Sequence, residues 1–403
     1  MATAGVILRP FRWPEAVWPC AGAAALAISG RLPWSQVMQA VGKGDDVYLF
    51  LTGMMLLSET ARRTGLFDRL AALAVNHAQA SPRRLFLLVY GVGVVVTVVL
   101  SNDATAVVLT PAVYAATRKA RVEAAPYLLI CAFVANAASF VLPISNPANI
   151  VLYGDQVPAL GAWLARFAAP ALMSILATYG LLRWAGAGQL PATCARDVPV
   201  EPLSLAGWAA LAGIGLTAVV LLTVSALGPP LGLATGLMGG LTTAVVLMIA
   251  REPPWATLKG VSWSILPLVA GLFVLVQALA ATGLITGLAG SISAASAHAP
   301  NDAAWACGGL VALVSNLINN LPAGLIASAA VTQAHPPLRV ADALLIGVDL
   351  GPNLSVTGSL ATILWLTAIR REGQHFGFWR FLRLGLVVTP PTLVLALAAR
   401  LLL

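Results

Sequence analysis

The chain has 403 residues, 59% of them hydrophobic and only 9% charged, where a soluble globular domain carries about 25% charged residues; that balance belongs in lipid and excludes a soluble enzyme. The net charge of +8 reads as a record of which loops stay in the cytoplasm, not as a nucleic-acid footprint. Four cysteines, Cys20, Cys131, Cys194 and Cys307, lie far apart without CxxC spacing, which predicts no disulfide framework and no thiolate metal site.

Apolar runs recur from Val17 to Leu403. A crossing of the hydrocarbon core takes roughly 20 apolar residues, so about ten spans are expected, with no soluble domain left to place. Arg9, Arg12 and Pro14 precede an Ala-rich run that reads as a first span near residues 16–30 and not as a removed signal peptide. A polar loop with Arg31, Lys43, Asp45 and Asp46 leads to a second span near 47–58. Residues 59–80 set Arg62, Arg63, Asp68 and Arg69 beside Leu66, Phe67, Leu70 and Leu73, the pattern of an amphipathic helix lying at the cytoplasmic interface.

Residues 85–117 are two apolar arms around the polar tip Ser101-Asn102-Asp103. Arg83 and Arg84 precede this unit and Arg118, Lys119 and Arg121 follow it, so both ends belong in the cytoplasm. A re-entrant hairpin satisfies that, its tip buried in protein at membrane depth. Residues 126–160 form one span broken at Pro143-Ile144-Ser145-Asn146-Pro147-Ala148-Asn149, because proline removes a helix donor and clashes with the preceding turn. The chain returns through 162–184, and a polar cytoplasmic linker, residues 186–204, separates a first repeat (1–185) from a second (205–403).

The second repeat runs through spans near 205–227, 231–250 and 263–282 and an interfacial stretch at 284–299. A hairpin at 303–333 follows, with its tip at Asn319-Asn320-Leu321-Pro322. A broken helix at 340–369, interrupted from Asp349 to Ser359, a basic loop with Arg370 and Arg371, and a final span from Phe378 complete it. This threading puts the N-terminus in the cytoplasm and the C-terminus outside, with 18 of the 23 Lys and Arg on the cytoplasmic side. The expected fold is an all-α polytopic membrane protein of two inverted-topology repeats with discontinuous helices, an arrangement found in secondary transporters whose site lies near the bilayer midplane.

Of the 15 Asp and Glu residues, Asp103 and Asp349 alone are threaded close to mid-membrane. A carboxylate at that depth is costly and marks an ion or proton pathway, or else caps a half-helix. Around the four irregular points stand Asn102, Asn136, Ser145, Asn146, Asn149, Asn319, Asn320, Asn353, Thr357 and Ser359, with no Lys, Arg or His among them. Such a set suits a neutral polyhydroxy solute, a small cation, or an anion held by half-helix N-termini. Each asparagine has a second reading, as the partner of backbone freed by the helix breaks.

The stretch Ser101-Asn102-Asp103-Ala104-Thr105-Ala106, running to Leu109-Thr110-Pro111, resembles the first hairpin of the ion-transporter superfamily, which includes dicarboxylate transporters and sodium/proton antiporters. Pro143-Ile144-Ser145-Asn146-Pro147-Ala148-Asn149, Asn319-Asn320-Leu321-Pro322, and Asp349-Leu350-Gly351-Pro352-Asn353 with Gly358-Ser359-Leu360-Ala361-Thr362 together resemble bacterial arsenite/antimonite efflux permeases of the ArsB type. The likeness extends to Ser58-Glu59-Thr60-Ala61-Arg62-Arg63-Thr64-Gly65-Leu66-Phe67.

That resemblance implies export of arsenite or antimonite across the bacterial inner membrane, driven by proton exchange or membrane potential and in some members by a cytoplasmic arsenite-stimulated ATPase. The chain holds no GxxxxGK[ST] motif of its own, and no cofactor or metal is expected. As(OH)3 is uncharged at neutral pH, and amides and hydroxyls can bond its three OH groups. The expected cycle is alternating access, with both hairpins and both broken helices moving against a scaffold of the remaining spans. Asp103 and Asp349 would exchange the proton, while Asn102, Ser145, Asn146, Asn149, Asn319, Asn320, Thr357 and Ser359 would bind substrate. The second tip lacks the Ser-Asn-Thr pattern of dicarboxylate members, which argues against a carboxylate substrate. The rivals are a sodium/proton antiporter, a di- or tricarboxylate transporter and a passive pump component. A homodimer is compatible with the long apolar spans, and packing is the expected role of Cys131.

Overall fold

The computed structural model describes residues 16–195 and 197–402, and among them every regular element is helical. Arg9, Arg12 and Arg196, three of the basic residues threaded to the cytoplasmic side, lie outside the described residues. In lipid each backbone N–H and C=O needs an internal partner, which leaves the helix as the economical state for apolar runs of this length.

The first part of the chain forms α1 (Val17–Ile28), α2 (Trp34–Gly42), α3 (Asp45–Arg63), α4 (Leu66–His77), α5 (Pro82–Val99), α6 (Thr110–Lys119), α7 (Ala125–Ala137), α8 (Pro147–Tyr153) and α9 (Leu160–Ala185). Two boundaries differ from the sequence expectation. The loop between the first two spans contains α2. Residues 59–63, read as the start of the interfacial helix, instead complete α3, where Thr60 Oγ1 meets Thr243 Oγ1 at 3.0 Å. The amphipathic helix α4 begins only after Gly65, whose φ of +73° turns the chain as a side chain there would resist.

After the linker come α10 (Leu205–Leu227), α11 (Gly232–Ala250), α12 (Trp255–Gly260), α13 (Ile265–Ala281), α14 (Leu284–His298), α15 (Pro300–Ile318), α16 (Asn320–Ala334), α17 (Leu338–Leu350), α18 (Leu360–Arg371) and α19 (Phe378–Leu401). Helices α5, α9, α10, α11 and α19 are each long and apolar enough to cross a membrane, and α14 bends 74° away from α13. One succession occurs twice, in α3–α9 and in α13–α19: long helix, short helix, hairpin, broken helix, long helix.

Packing sorts these helices into two bodies. In the first, α3 lies along α11, α11 along α10, and α13 along α1 and α2. Lipid supplies no hydrophobic drive between helices, so close backbone approach matters: a methyl at Gly53 would strike the Thr235 carbonyl, and one at Gly239 the backbone of Gly53. In the second body the hairpins and broken helices pack on one another and on α9 and α19. This corrects the expectation that α9 and α19 belong to the scaffold. Ser174 of α9 bonds the Ala137 carbonyl at 2.7 Å, and Phe381 of α19 stacks on Phe133 with ring centroids 5.1 Å apart.

One ionic cluster holds four helices of the second body. Asp342 of α17 is fully buried and accepts from Tyr153 Oη of α8 at 2.6 Å, from Arg166 Nε of α9 at 2.9 Å, and from Arg400 Nε of α19 at 2.7 Å. Arg166 Nη2 closes a second contact on the same carboxylate. All four cysteines are free. Cys131 is buried in the core, and burial pushes the linker thiol of Cys194 above its ordinary pKa, so both are inert thiols.

Removing a buried charge leaves its partners desolvated and uncompensated, at a cost of about 3–5 kcal/mol. Asp342→Asn is therefore expected to lower the denaturation midpoint in detergent sharply, whereas Tyr153→Phe, which deletes one donor, costs about 1 kcal/mol. Equal midpoints for Asp342→Asn and the parent would remove this cluster from the account of how α8, α9, α17 and α19 are held.

Candidate substrate site

The first break lies between α7 and α8, where Pro143 and Pro147 supply no backbone donor and the chain is extended at Leu142 and Asn146. Its polar residues stitch it together. Asn146 caps α8 through Ala148 N–H at 3.0 Å. Asn149 Nδ2 faces the carbonyls of Ser139, Leu142 and Pro143 at 2.8, 3.2 and 3.3 Å. Ser145 donates to the Val98 carbonyl of α5 at 3.1 Å and accepts the Leu142 N–H, tying the break to the first hairpin.

The second break, between α17 and α18, is held by the second hairpin. Asn316 Nδ2 donates to the Gly351 carbonyl at 2.9 Å, while its Oδ1 accepts from Ser355 at 2.8 Å. Thr357 Oγ1 donates to the Asn316 carbonyl at 3.1 Å, and Asn320 N–H to that of Gly358 at 2.8 Å. Asn319, at φ +75°, caps α16 through Leu321 N–H and reaches the Thr357 carbonyl at 3.4 Å. Ser359 caps α18 through Thr362 N–H at 3.0 Å.

The two breaks are joined to each other. Asp349, fully buried, accepts from Ser139 Oγ and from Asn146 Nδ2, both at 2.8 Å. Asn353 donates to the Phe133 carbonyl at 2.9 Å, which turns its Oδ1 toward Asn136 Nδ2 at 3.0 Å. That chain of bonds fixes the amide orientations, and it leaves Asn136 Oδ1 and Asn149 Oδ1 as buried acceptors with no donor among the described residues; Asn320 Oδ1 is a third. A buried acceptor without a donor implies a missing partner, water or ligand.

Asp103 sits apart from this network. The first hairpin turns at Ser101, whose Oγ accepts Ala104 N–H at 3.2 Å, and Asn102 Oδ1 accepts the Asp103 N–H at 2.9 Å. The second arm starts with a π-helical turn, Thr105–Leu109, locked by Thr97 and Thr105 hydroxyls 2.8 Å apart; such turns recur at functional sites. The Asp103 carboxylate makes no hydrogen bond to a described residue. It lines a cleft of about 50 Å³ shared with Ser58, Glu59, Ser101, Pro147 and Ser262, room for several waters at roughly 10–15 Å³ each. Glu59 is already paired with Arg62 at 2.6 and 2.7 Å.

The structure thus gathers Asn146, Asn149 and Asp349 at one junction and Asn319, Asn320, Thr357 and Ser359 around the second break; Ser145 leans on the first hairpin, and Asn102 and Asp103 form its tip. Ser139, Asn316, Ser355 and Glu59 were absent from the expected set. Ser139 and Asn316 carried a faint signal, being polar residues one helical turn from Asn136 and Asn320 in otherwise apolar runs. Glu59 looked interfacial because α3 was expected to end before it.

A family model described as Citrate transporter matches residues 6–349. An uncharacterized transporter of Mycobacterium tuberculosis is 30% identical over 364 residues, covering 87% of this chain and 84% of that protein. An arsenical pump membrane protein of Yersinia enterocolitica is 26% identical, covering 86% and 83%, and one of Escherichia coli is 25% identical with the same coverage. These relatives bear out the resemblance carried by the hairpin and break motifs. Among solved structures, the YdaH transporter of Alcanivorax borkumensis superposes with a TM-score of 0.58 at 16% identity, covering 93% of this chain and 88% of that one; it shares the fold.

The two aspartates should respond differently to replacement. Asp349→Leu leaves the buried Asn146 Nδ2 without its acceptor, at a cost of about 1–3 kcal/mol, while the Ser139 hydroxyl can turn to the Asn136 carbonyl at 2.7 Å. Asp103→Asn breaks no protein hydrogen bond and should stay within about 0.5 kcal/mol of the parent. Chemical denaturation in detergent measures both; a larger loss for Asp103→Asn would contradict these environments.

Proposed function

We propose, from the premise that the chain belongs to the citrate transporter family whose model it matches, that it is a secondary active transporter exporting arsenite or antimonite from the cytoplasm in exchange for protons. One observation carries the reading: an Asp103 carboxylate with no hydrogen-bond partner among the described residues faces a small cleft lying between the two bodies. Leu51, Met54, Met55, Ser58 and Glu59 of α3 and Ile265 of α13 form one wall; Ser101, Ala104, Val107, Pro147 and Leu364 form the other. The tip of the second hairpin, through Asn319, Leu321 and Pro322, meets Leu268 and Leu272 of α13 across the same seam.

In this reading the second body moves against the first, and the seam opens to one side of the membrane and then the other. The two repeats lie in opposite orientation, with the N-terminus in the cytoplasm and the C-terminus outside. Asp103 takes up and releases the coupling proton where it meets water, and Asp349 is the second titrating carboxylate, its charge sensed by Ser139 and Asn146. The acceptors left open at Asn136, Asn149 and Asn320 suit a solute that donates hydroxyl protons, as As(OH)3 does. Asn102, Ser145, Asn146, Asn319, Thr357 and Ser359 shape the site from the caps and tips. Relatives described as arsenical pump membrane proteins support the cargo. An ATPase and a second copy of the chain are optional partners in this scheme.

The family description favours a second reading, carriage of a carboxylate such as citrate. Against it, among the described residues the cleft is lined by two carboxylates and no cation, and nearby Arg62 is engaged by Glu59, so a bare polyanion would meet repulsion there. A third reading, a sodium/proton antiporter, uses Asp103 as a direct sodium ligand.

Everted vesicles holding this chain alone, made acidic inside, are expected to accumulate antimonite and to lose it when the gradient is collapsed. Asp103→Asn should lower that uptake at least tenfold with unchanged protein in the membrane. Gradient-driven citrate uptake without antimonite uptake would favour the second reading, and thermal stabilisation by sodium the third.

A further inference from the structure

Outside the seam, the N-terminal end of α19 borders a cleft of about 430 Å³ lined by Leu129, Gln189, Trp379, Arg380, Arg383, Leu384 and Val387, with Phe376 at its edge. Arg380, Arg383, Leu384 and Val387 fall at i, i+3, i+4 and i+7, so they share one face of the helix. Charge is thereby concentrated at the end nearer the loop, and the face becomes apolar further along the helix, where Leu129 of α7 forms the opposite wall. Among the described residues no acidic side chain lines the cleft and neither arginine is ion-paired. Arg380 is held in place by the Phe376 ring, its guanidinium carbon 4.4 Å from the centroid. Trp379 is 69% exposed beside it, the placement of an amphipathic ring at a membrane–water boundary.

We propose that this cleft binds one anionic phospholipid, its phosphate on Arg380 and Arg383 and an acyl chain along Leu384, Val387 and Leu129. A forked guanidinium pair suits phosphate oxygens, and basic pockets between membrane helices at the boundary take up acidic lipid heads. The first backbone N–H groups of α19 add positive potential at the same end, where Gly377 provides no side-chain cap. Gln189, from the short turn Ala187–Gln189 in the linker, closes the site from above. The lipid therefore bridges the linker and the moving body, whose α19 packs on the second break. The site rests on the membrane reading of the chain and is independent of the cargo.

The test uses the full chain purified in neutral detergent, with bound lipid read by native mass spectrometry and by the shift in unfolding temperature. The parent should retain phosphatidylglycerol in preference to phosphatidylcholine and be stabilised by it, whereas inorganic phosphate should do neither. Each arginine near acidic lipid contributes roughly fivefold to binding, so Arg380→Gln/Arg383→Gln should weaken retention on the order of 25-fold. Arg370→Gln/Arg371→Gln, which removes as much charge from the last turn of the neighbouring α18, should leave it unchanged. Arg380→Lys/Arg383→Lys should keep most of the retention, which separates lost charge from a folding defect. The proposal is overturned if the glutamine pair retains phosphatidylglycerol as the parent does, if both arginine pairs lose it equally, or if free phosphate reproduces the stabilisation.

Discussion

Backbone that leaves the helix at membrane depth must find every hydrogen bond inside the protein, and the rest of this molecule follows from that requirement. Two helices are broken by sequence: Pro143 and Pro147 remove donors from one, and Pro352 stands second in the short 3-10 turn Gly351–Leu354 of the other. Each break frees carbonyls and N–H groups that neither lipid nor a regular neighbour can serve. Asparagine and serine meet the demand because their short polar side chains bond local backbone. Asn149 alone serves three carbonyls, and Asn316 spans from its own helix to the Gly351 carbonyl.

Much of the polarity that looked like a substrate site is therefore structural, and the two breaks are bound into one unit by Asp349. Its carboxylate takes one donor from each side of the first break, Ser139 before it and Asn146 after it. Protonation there would reverse the Ser139 bond, the hydroxyl turning to donate to the Asn136 carbonyl at 2.7 Å, which couples any titration to the bonding of the first break. Asp103 is under no such constraint. Its hairpin tip is closed by Ser101 and Asn102 acting on backbone, and the carboxylate is left toward the cleft.

Proline and apolar run length act locally, and the sequence pattern accordingly placed the turns, the helix interruptions and the long helices near where they lie. The hairpin tip expected at Ser101-Asn102-Asp103 and the break expected at Pro143 are where the chain turns. What failed were judgments that depend on long-range packing. The end of α3 was misplaced because Glu59 and Thr60 are polar yet buried, one against Arg62 and the other against Thr243 of a helix more than 180 residues away. The grouping of α9 and α19 depends on long-range contact in the same way: Arg166 and Arg400 stand in otherwise apolar helices, and both converge on Asp342. Periodicity does not report which buried carboxylate an arginine will meet.

That grouping bears on how a seam can work. The first body joins α3 to α11 through glycines that admit no side chain, and the second is cross-braced by an ionic cluster and by two interlocked breaks, so each is stiff within itself. Interfaces between stiff bodies move by sliding or hinging, because packed cores do not deform continuously. The seam is where the open carboxylate lies, whereas the saturated one lies inside the second body. A relative displacement of the bodies therefore changes the surroundings of Asp103 far more than those of Asp349. If a single group is to meet water on alternate sides, the geometry favours the aspartate at the seam, while the bonds of Asp349 to Ser139 and Asn146 tie the two breaks together.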